Sequence, residues 1–208
     1  MPLPGSAREE AALTGSSPAG RSIGLVGLSV IASGLLINAF LAVVAHNVST
    51  EQYGFFTAYW SMALVVGFGV FLPIEQEFTR LAHSAGAGGG VLRSGLRVAL
   101  GFAAVEVVLV LAGTPLLLHS FGGEFGTVAA LATLCVISAG QFTVRGLLLG
   151  ANRMTSYALV LTADAALRVT LAALLAGLLR PANASSYAWT LVLAIGVAHL
   201  PLLPKLVR

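Results

Sequence analysis

The sequence predicts an all-α integral membrane fold with six transmembrane helices. Apolar residues fill 57% of the 208 positions and charged residues only 9%. A soluble domain carries roughly a quarter charged residues, so the deficit is too large to be the effect of a big core. The apolar residues gather into six runs, each near the roughly 20 residues that cross a hydrocarbon layer. The connections between runs are short, which makes consecutive helices antiparallel neighbours.

Residues 1–22 are rich in Ser, Pro, Gly and Ala, carry Arg8, Glu9, Glu10 and Arg21, and read as a disordered cytoplasmic tail. Residues 23–208 form the six-helix unit. Its first span, about 23–45, outruns a signal-peptide core and lacks a small-residue cleavage site before a polar mature sequence, so it is retained. A polar turn leads to the second span, 54–80, in which Gly67, Gly69 and Pro73 predict a bend toward the far end. Residues 81–90 end in glycines and form a flexible linker; no Gly-Lys-Ser/Thr follows, so they are not a phosphate loop. The third span, 92–118, carries Glu106 in its middle and Pro115 near its end. A glycine-containing turn precedes the fourth span, 126–149, and 150–156 turn into the fifth, 157–179. The sixth, 187–203, is closed by Pro201 and Pro204.

Orientation follows from the basic residues. A cytoplasmic N-terminus puts Arg8, Arg21, Arg80, Arg93, Arg97, Arg145, Arg153, Lys205 and Arg208 inside and only Arg180 outside, the asymmetry of the positive-inside rule. Tyr53, Tyr59 and Trp60 then mark one outer boundary, and Tyr187 and Trp189 another. Asn47-Val48-Ser49 and Asn183-Ala184-Ser185 match the glycosylation pattern on that side, but turns this short hug the membrane. Ten Arg against one Lys, with Ala, Gly, Leu and Val dominant, suggest a GC-rich bacterial genome and thus the bacterial inner membrane.

Composition also excludes classes. The net charge of +3 is spread over loops and helix ends, which is no nucleic-acid surface. Cys135 is the single cysteine, so neither an internal disulfide nor a cysteine-pair metal site can form. His46, His83, His119 and His199 sit at span boundaries without ligand spacing; no metal and no cofactor is expected. No serine elbow or usable carboxylate pair is present, and the chain is not expected to be an enzyme.

The polar groups inside the spans carry the functional signal. Asp164 and Arg168 stand one turn apart near the middle of the fifth span, on one stripe with Tyr157 and Leu161. Each charge costs about 2.5–3.5 kcal/mol at a bilayer centre, so this face must look into protein or water. The pair is either a self-neutralised packing element or a binding group, with Arg168 for an anionic head and Asp164 orienting it or titrating. Glu106 lies on a small-residue stripe with Ala99, Ala103, Val110 and Gly113. It is a neutral acid in a packed interface, a partner for a base such as Arg168, or a proton or sodium coupling site. Ser138, Gln141 and Arg145 form a polar stripe continuing toward Asn152, with Arg145 an interfacial anchor or a cavity-mouth group. Asn38, aligned with Gly27 and Gly34, is a helix-packing hydrogen-bonder or a cavity group. Glu75, Glu77 and Arg80 read as a solvated, salt-bridged face at the inner end of the second span.

Several segments resemble the Wzx-type polysaccharide flippases of the multidrug/oligosaccharidyl-lipid/polysaccharide (MOP) exporter superfamily. They are Glu51-Gln52-Tyr53-Gly54; Phe71-Leu72-Pro73-Ile74-Glu75-Gln76-Glu77 continuing to Arg80; and Arg145-Gly146-Leu147 with Gly150 and then Tyr157. Asp164 to Arg168 followed by an Ala/Leu run is similar to actinobacterial members. The resemblance implies one six-helix lobe of a MATE/MOP-like, V-shaped transporter that moves a lipid-linked glycan outward by alternating access. Cationic cavity residues would bind the pyrophosphate of the carrier, with Arg168 deepest and Arg145 nearer the entrance. Such proteins usually have twelve or more spans, so this chain is expected to be a fragment, or a half-length lobe that pairs with a second copy or another six-helix subunit.

The leading expectation is a lobe that flips lipid-linked oligosaccharide or exports polysaccharide, with membrane lipid around it. Arg168, Asp164, Arg145, Gln141 and Asn38 are the cavity candidates and Glu106 the ion-coupling candidate. The alternatives are an ion-coupled exporter of amphipathic cations, for which Glu106 and Asp164 would be the attraction, and a non-transporting scaffold for glycan-assembly enzymes.

Overall fold

The computed structural model describes residues 18–84, 89–178 and 182–206, and every element among them is helical. In order they are α1 (Pro18–Asn47), α2 (Thr50–Leu64), a π-helical segment (Val65–Phe71), α3 (Leu72–His83), α4 (Gly89–Ala112), α5 (Thr114–Ser120), α6 (Phe125–Gly150), α7 (Met154–Leu178), α8 (Ala184–His199), a 3-10 turn (Leu200–Leu202) and α9 (Leu203–Leu206). Six rods are long and apolar enough to cross a membrane: Gly24–Asn47, Thr50–His83, Arg93–Ala112, Phe125–Gly150, Met154–Leu178 and Ala184–Leu206. Residues 18–22, expected in the tail, belong to α1. Residues 1–17, the linker residues 85–88, Arg180, Pro181 and Arg208 lie outside the described residues.

The two proline-bearing spans depart from simple rods for a stated reason. Pro73 has no N–H to give the carbonyl four residues back. The second rod meets this with a widened turn over Val65–Phe71, in which the Leu72 N–H reaches the Gly67 carbonyl. The expected bend is therefore a π-turn inside a continuous rod. In the third span Pro115 breaks the helix outright, so the rod ends at Ala112, short of the expected 118, and α5 starts beyond Gly113. Gly122 and Gly123 then take positive φ, 65° and 81°, to turn the chain into α6.

α6 is the central rod, and most of its residues are buried against α3, α4 and α8. Its close contact with α3 is set by Gly146 and Gly150. A Cβ at Gly146 would lie 2.5 Å from the Glu75 carbonyl oxygen and 2.7 Å from the Phe78 Cβ, and one at Gly150 would lie 2.6 Å from the Ala82 Cβ. The Thr79 hydroxyl bridges the two helices, donating to the carbonyls of Glu75 (2.8 Å) and Gly146 (3.2 Å). α1 packs chiefly along α7 and only lightly on α2, so the α1–α2 seam is the thin part of the bundle wall.

The two ends of the bundle differ in charge. At one end the Gln52 side chain accepts the Ala184 N–H (2.8 Å), and Asn183 caps α8 while donating to Glu124 at 3.0 Å. Asn183 of the sequence's glycosylation pattern is thus committed to the fold. Arg80, Arg93, Arg97, Arg153 and Lys205 are exposed toward the other end. Tyr59 and Tyr187, expected as boundary anchors, are fully buried in an aromatic cluster with Phe40, Phe56 and Phe121. Their rings fill the core between rods, because the chain packs there what the sequence pattern would place at an interface.

Candidate functional site

Among the described residues, five of the six rods line a partly open cavity of about 390 Å3. Only the Arg93–Ala112 rod does not line it. The wall has two chemical sides. α1, α2, the π-turn and α8 supply mostly apolar or small groups, among them Val30, Gly34, Trp60, Gly67 and Ile195. α6 and α7 supply the polar side: Ser138, Gln141 and Arg145 from one, Tyr157, Asp164 and Arg168 from the other. Both polar stripes follow helical spacing of three and four, so each rod turns one continuous stripe inward.

Asp164 and Arg168 are buried, with 4% and 9% relative exposure, and form a bidentate pair. The Arg168 Nε donates to Asp164 Oδ1 at 3.0 Å and its Nη2 to Oδ2. The planar guanidinium fork fits the two carboxylate oxygens. The pair thus neutralises itself within one helix and still faces the cavity. His199 of α8 is fully buried, and its Nδ1 lies 3.0 Å from the Ile195 carbonyl oxygen. A ring nitrogen facing a carbonyl must carry a proton, and the other ring nitrogen, Nε2, is buried without a hydrogen-bond partner.

A second charged group, Arg145 of α6, lines the cavity beside Tyr157. The Arg145 Nε stands 3.3 Å from Glu75 Oε2, an ion contact without hydrogen-bond alignment. Its Nη2 donates to the Tyr157 hydroxyl at 3.0 Å, and that hydroxyl donates to Glu75 Oε1 at 3.5 Å. The guanidinium also lies over the rings of Phe142 (5.1 Å) and Tyr157 (5.6 Å). Three rods are tied together here, through α3, α6 and α7.

The structure brings Arg168, Asp164, Arg145 and Gln141 to one cavity and leaves outside it the fifth cavity candidate, Asn38, and the ion-coupling candidate, Glu106. Asn38 is exposed, with its Nδ2 donating to the Gly34 carbonyl at 2.8 Å. The register of α1 turns Ser33, Gly34 and Ile37 inward and carries Asn38 past the rim. Glu106 is buried on the stripe of Ala99, Ala103 and Val110, but that stripe packs on another face of α6, beside Cys135. Its Oε2 has no hydrogen-bond partner, and Arg168 is spent on Asp164 rather than on Glu106.

Glu75, which stands behind the cavity residue Arg145, is the residue that sequence reasoning misplaced. The exposed pair is Glu77 with Arg80, at 2.6 and 2.8 Å, whereas Glu75 is only 4% exposed. The signal was present: Phe71, Glu75, Phe78 and Ala82 share one helical stripe, and Glu77 and Arg80 point the other way. Among the described residues no group of three or more His, Cys, Asp or Glu side chains could hold a metal ion.

No family model matches the chain, and no solved structure matches it. It is similar to uncharacterized proteins of Mycobacterium bovis and Mycobacterium tuberculosis, at 28% identity over 198 aligned residues. The alignment covers 86% of this chain and 44% of each relative. The chain therefore spans less than half the length of the curated relatives it matches.

Proposed function

We propose that the chain is one membrane-embedded lobe of a transporter that moves the polar head of a lipid-linked oligosaccharide across the bilayer. The observation that carries this reading is the bidentate Asp164–Arg168 pair, held mid-rod and turned into a cavity walled by five rods. In hydrocarbon such a pair is costly, and a wet, protein-walled compartment is what makes it tolerable. The polar side on α6 and α7 suits a head group, and the apolar side on α1 and α2, with its thin seam, suits the chain of an amphiphile. The volume falls within the ~300–1,000 Å3 of small-ligand sites. It fits a head group better than a polysaccharide strand, which favours flipping over polymer export.

In this reading the basic end faces the cytoplasm of a bacterial cell. A second lobe, from a further segment, another subunit or a second copy, would complete the transport path, in keeping with the greater length of the relatives. The ion-coupled exporter reading keeps Asp164 as its cavity carboxylate, since Glu106 lies away from the cavity. The test is reconstitution of wild-type protein and Arg168→Gln into proteoliposomes loaded with polyprenyl-linked oligosaccharide. Wild-type vesicles are expected to expose the glycan to external glycosidase faster than empty vesicles, and Arg168→Gln at least tenfold more slowly. A wild-type rate equal to that of empty vesicles, together with no binding of the polyprenyl-linked oligosaccharide by the wild-type chain, overturns the proposal.

A further inference from the structure

We infer that the cavity selects a zwitterionic head group, one that presents a phosphate or carboxylate and an ammonium together, over a head group of either single charge. The inference rests on the cavity-binding part of the proposed function and narrows its ligand to a lipid-linked saccharide whose phosphate is accompanied by the ammonium of an amino sugar.

The argument is a count of charges and of unused hydrogen-bonding positions. Three charged residues line the cavity, Arg145, Asp164 and Arg168, and Glu75 stands directly behind Arg145 at 3.3 Å. The two cations are therefore each matched by a carboxylate, and the formal charges at the wall sum to zero. An added anion or cation would have to leave its water and bring one unbalanced charge against a wall whose own charges are already paired. A zwitterion brings none.

The Asp164–Arg168 pair also has the valences to receive one. A guanidinium has five N–H donors and a carboxylate about four lone-pair positions. The pair consumes two of each, through Nε to Oδ1 and Nη2 to Oδ2. Donors remain on Arg168 for an anionic group, and acceptor positions remain on Asp164 for an ammonium. Both groups would be met on adjacent members of one bidentate pair, without breaking it. Arg145 offers less, because Glu75, Tyr157, Phe142 and the Tyr157 ring already surround it. Gln141 and Ser138 are neutral and add hydrogen bonds for hydroxyls beside the charged pair.

The chemistry could arrive as a lipid head group or as a free solute. The experiment uses the full chain in nanodiscs, with binding read by fluorescence of Trp60, which lines the cavity. The probes are dioctanoyl phosphatidylethanolamine, dioctanoyl phosphatidic acid, octyl glucoside and soluble glycerophosphoethanolamine. The zwitterionic lipid is expected to bind at least tenfold more tightly than the anionic lipid or the glucoside. Comparable binding of glycerophosphoethanolamine assigns the site to free solutes, and its failure beside a bound lipid assigns it to membrane head groups. Asp164→Asn is expected to reverse the order by at least tenfold, because it leaves Arg168 uncompensated and draws the anionic lipid. The double swap Asp164→Arg/Arg168→Asp keeps the pair and is expected to keep the zwitterion preference, which guards against loss of folding in the single variant. Phosphatidic acid or glucoside binding as tightly as phosphatidylethanolamine in the wild type overturns the inference while leaving the cavity reading in place. No binding of any probe overturns both.

Discussion

Replacing Asp164 by Asn tests whether the fifth rod holds a buried ionised pair. The substitution leaves the Arg168 guanidinium, itself 9% exposed, without its bidentate acceptor. Breaking a buried ion pair from one side costs about 3–5 kcal/mol, since the remaining charge is stranded. The cavity edge beside Arg168 lets solvent offset part of that, which places the expected loss near about 3 kcal/mol. For a chain of this size that corresponds to a melting-temperature drop of roughly 6–12 °C. The assay is unfolding in mixed micelles followed by tryptophan fluorescence, for Asp164→Asn, Arg168→Met and the double variant Asp164→Asn/Arg168→Met. The double variant removes both charges at once and is expected within about 1–2 kcal/mol of wild type, a coupling far from additive. Neutral hydrogen bonds between membrane helices average about 0.6 kcal/mol. A loss of that size for Asp164→Asn, with an additive double variant, would refute the buried-pair argument.

Two further outcomes separate packing from chemistry. Gly146→Ala places a Cβ 2.5 Å from a backbone carbonyl oxygen that cannot swing away, so it is expected to cost about 1–3 kcal/mol in the same unfolding assay. Gly27→Ala, where a Cβ meets nothing within 4 Å, is expected to be neutral or to stabilise by a few tenths through helix propensity. Equal effects at the two glycines would contradict the described α3–α6 contact. Glu106→Gln, off the cavity beside Cys135, is expected to leave head-group affinity within about twofold. A tenfold fall in that affinity would return Glu106 to the site.

The sequence carried the rods because their signal is cumulative: some 20 apolar residues outweigh any single misread position. It carried the inward stripes of α6 and α7 for a related reason, since three or four polar residues at helical spacing define a direction on a rod. Single residues fared differently. Asn38 and Glu106 were each a lone polar group, and one residue fixes a depth in the rod without saying which neighbour the rod turns toward. Glu75 was misread because its neighbours Glu77 and Arg80 suggested a common solvated face, whereas positions two apart on a helix face nearly opposite ways. The break at Gly113 was foreshadowed by Pro115, and the π-turn by Pro73. A proline reveals that a hydrogen bond must be lost, but whether the rod breaks or widens depends on what packs beside it. At Gly67 that neighbour is Phe142, whose ring lies 3.6 Å from where a Cβ would stand.

The two arginine pairs do different work. Glu75, Arg145 and Tyr157 come from three separate elements, so their contacts hold α3, α6 and α7 in register, and a structural role accounts for them fully. Asp164 and Arg168 belong to one helix and bond only within it among the ion pairs described. An intrahelical pair on a buried rod fixes no neighbour and adds little to a helix whose own hydrogen bonds already close. Its desolvation is therefore a cost with no architectural return, and Ala or Leu at both positions would serve α7 better as a packing element. What the pair does supply is a charged surface with no net charge, presented to a hollow from a rigid helix. That distinction separates a cavity with a binding role from a packing defect, and it places the chemistry on α7 instead of on the better-connected Arg145.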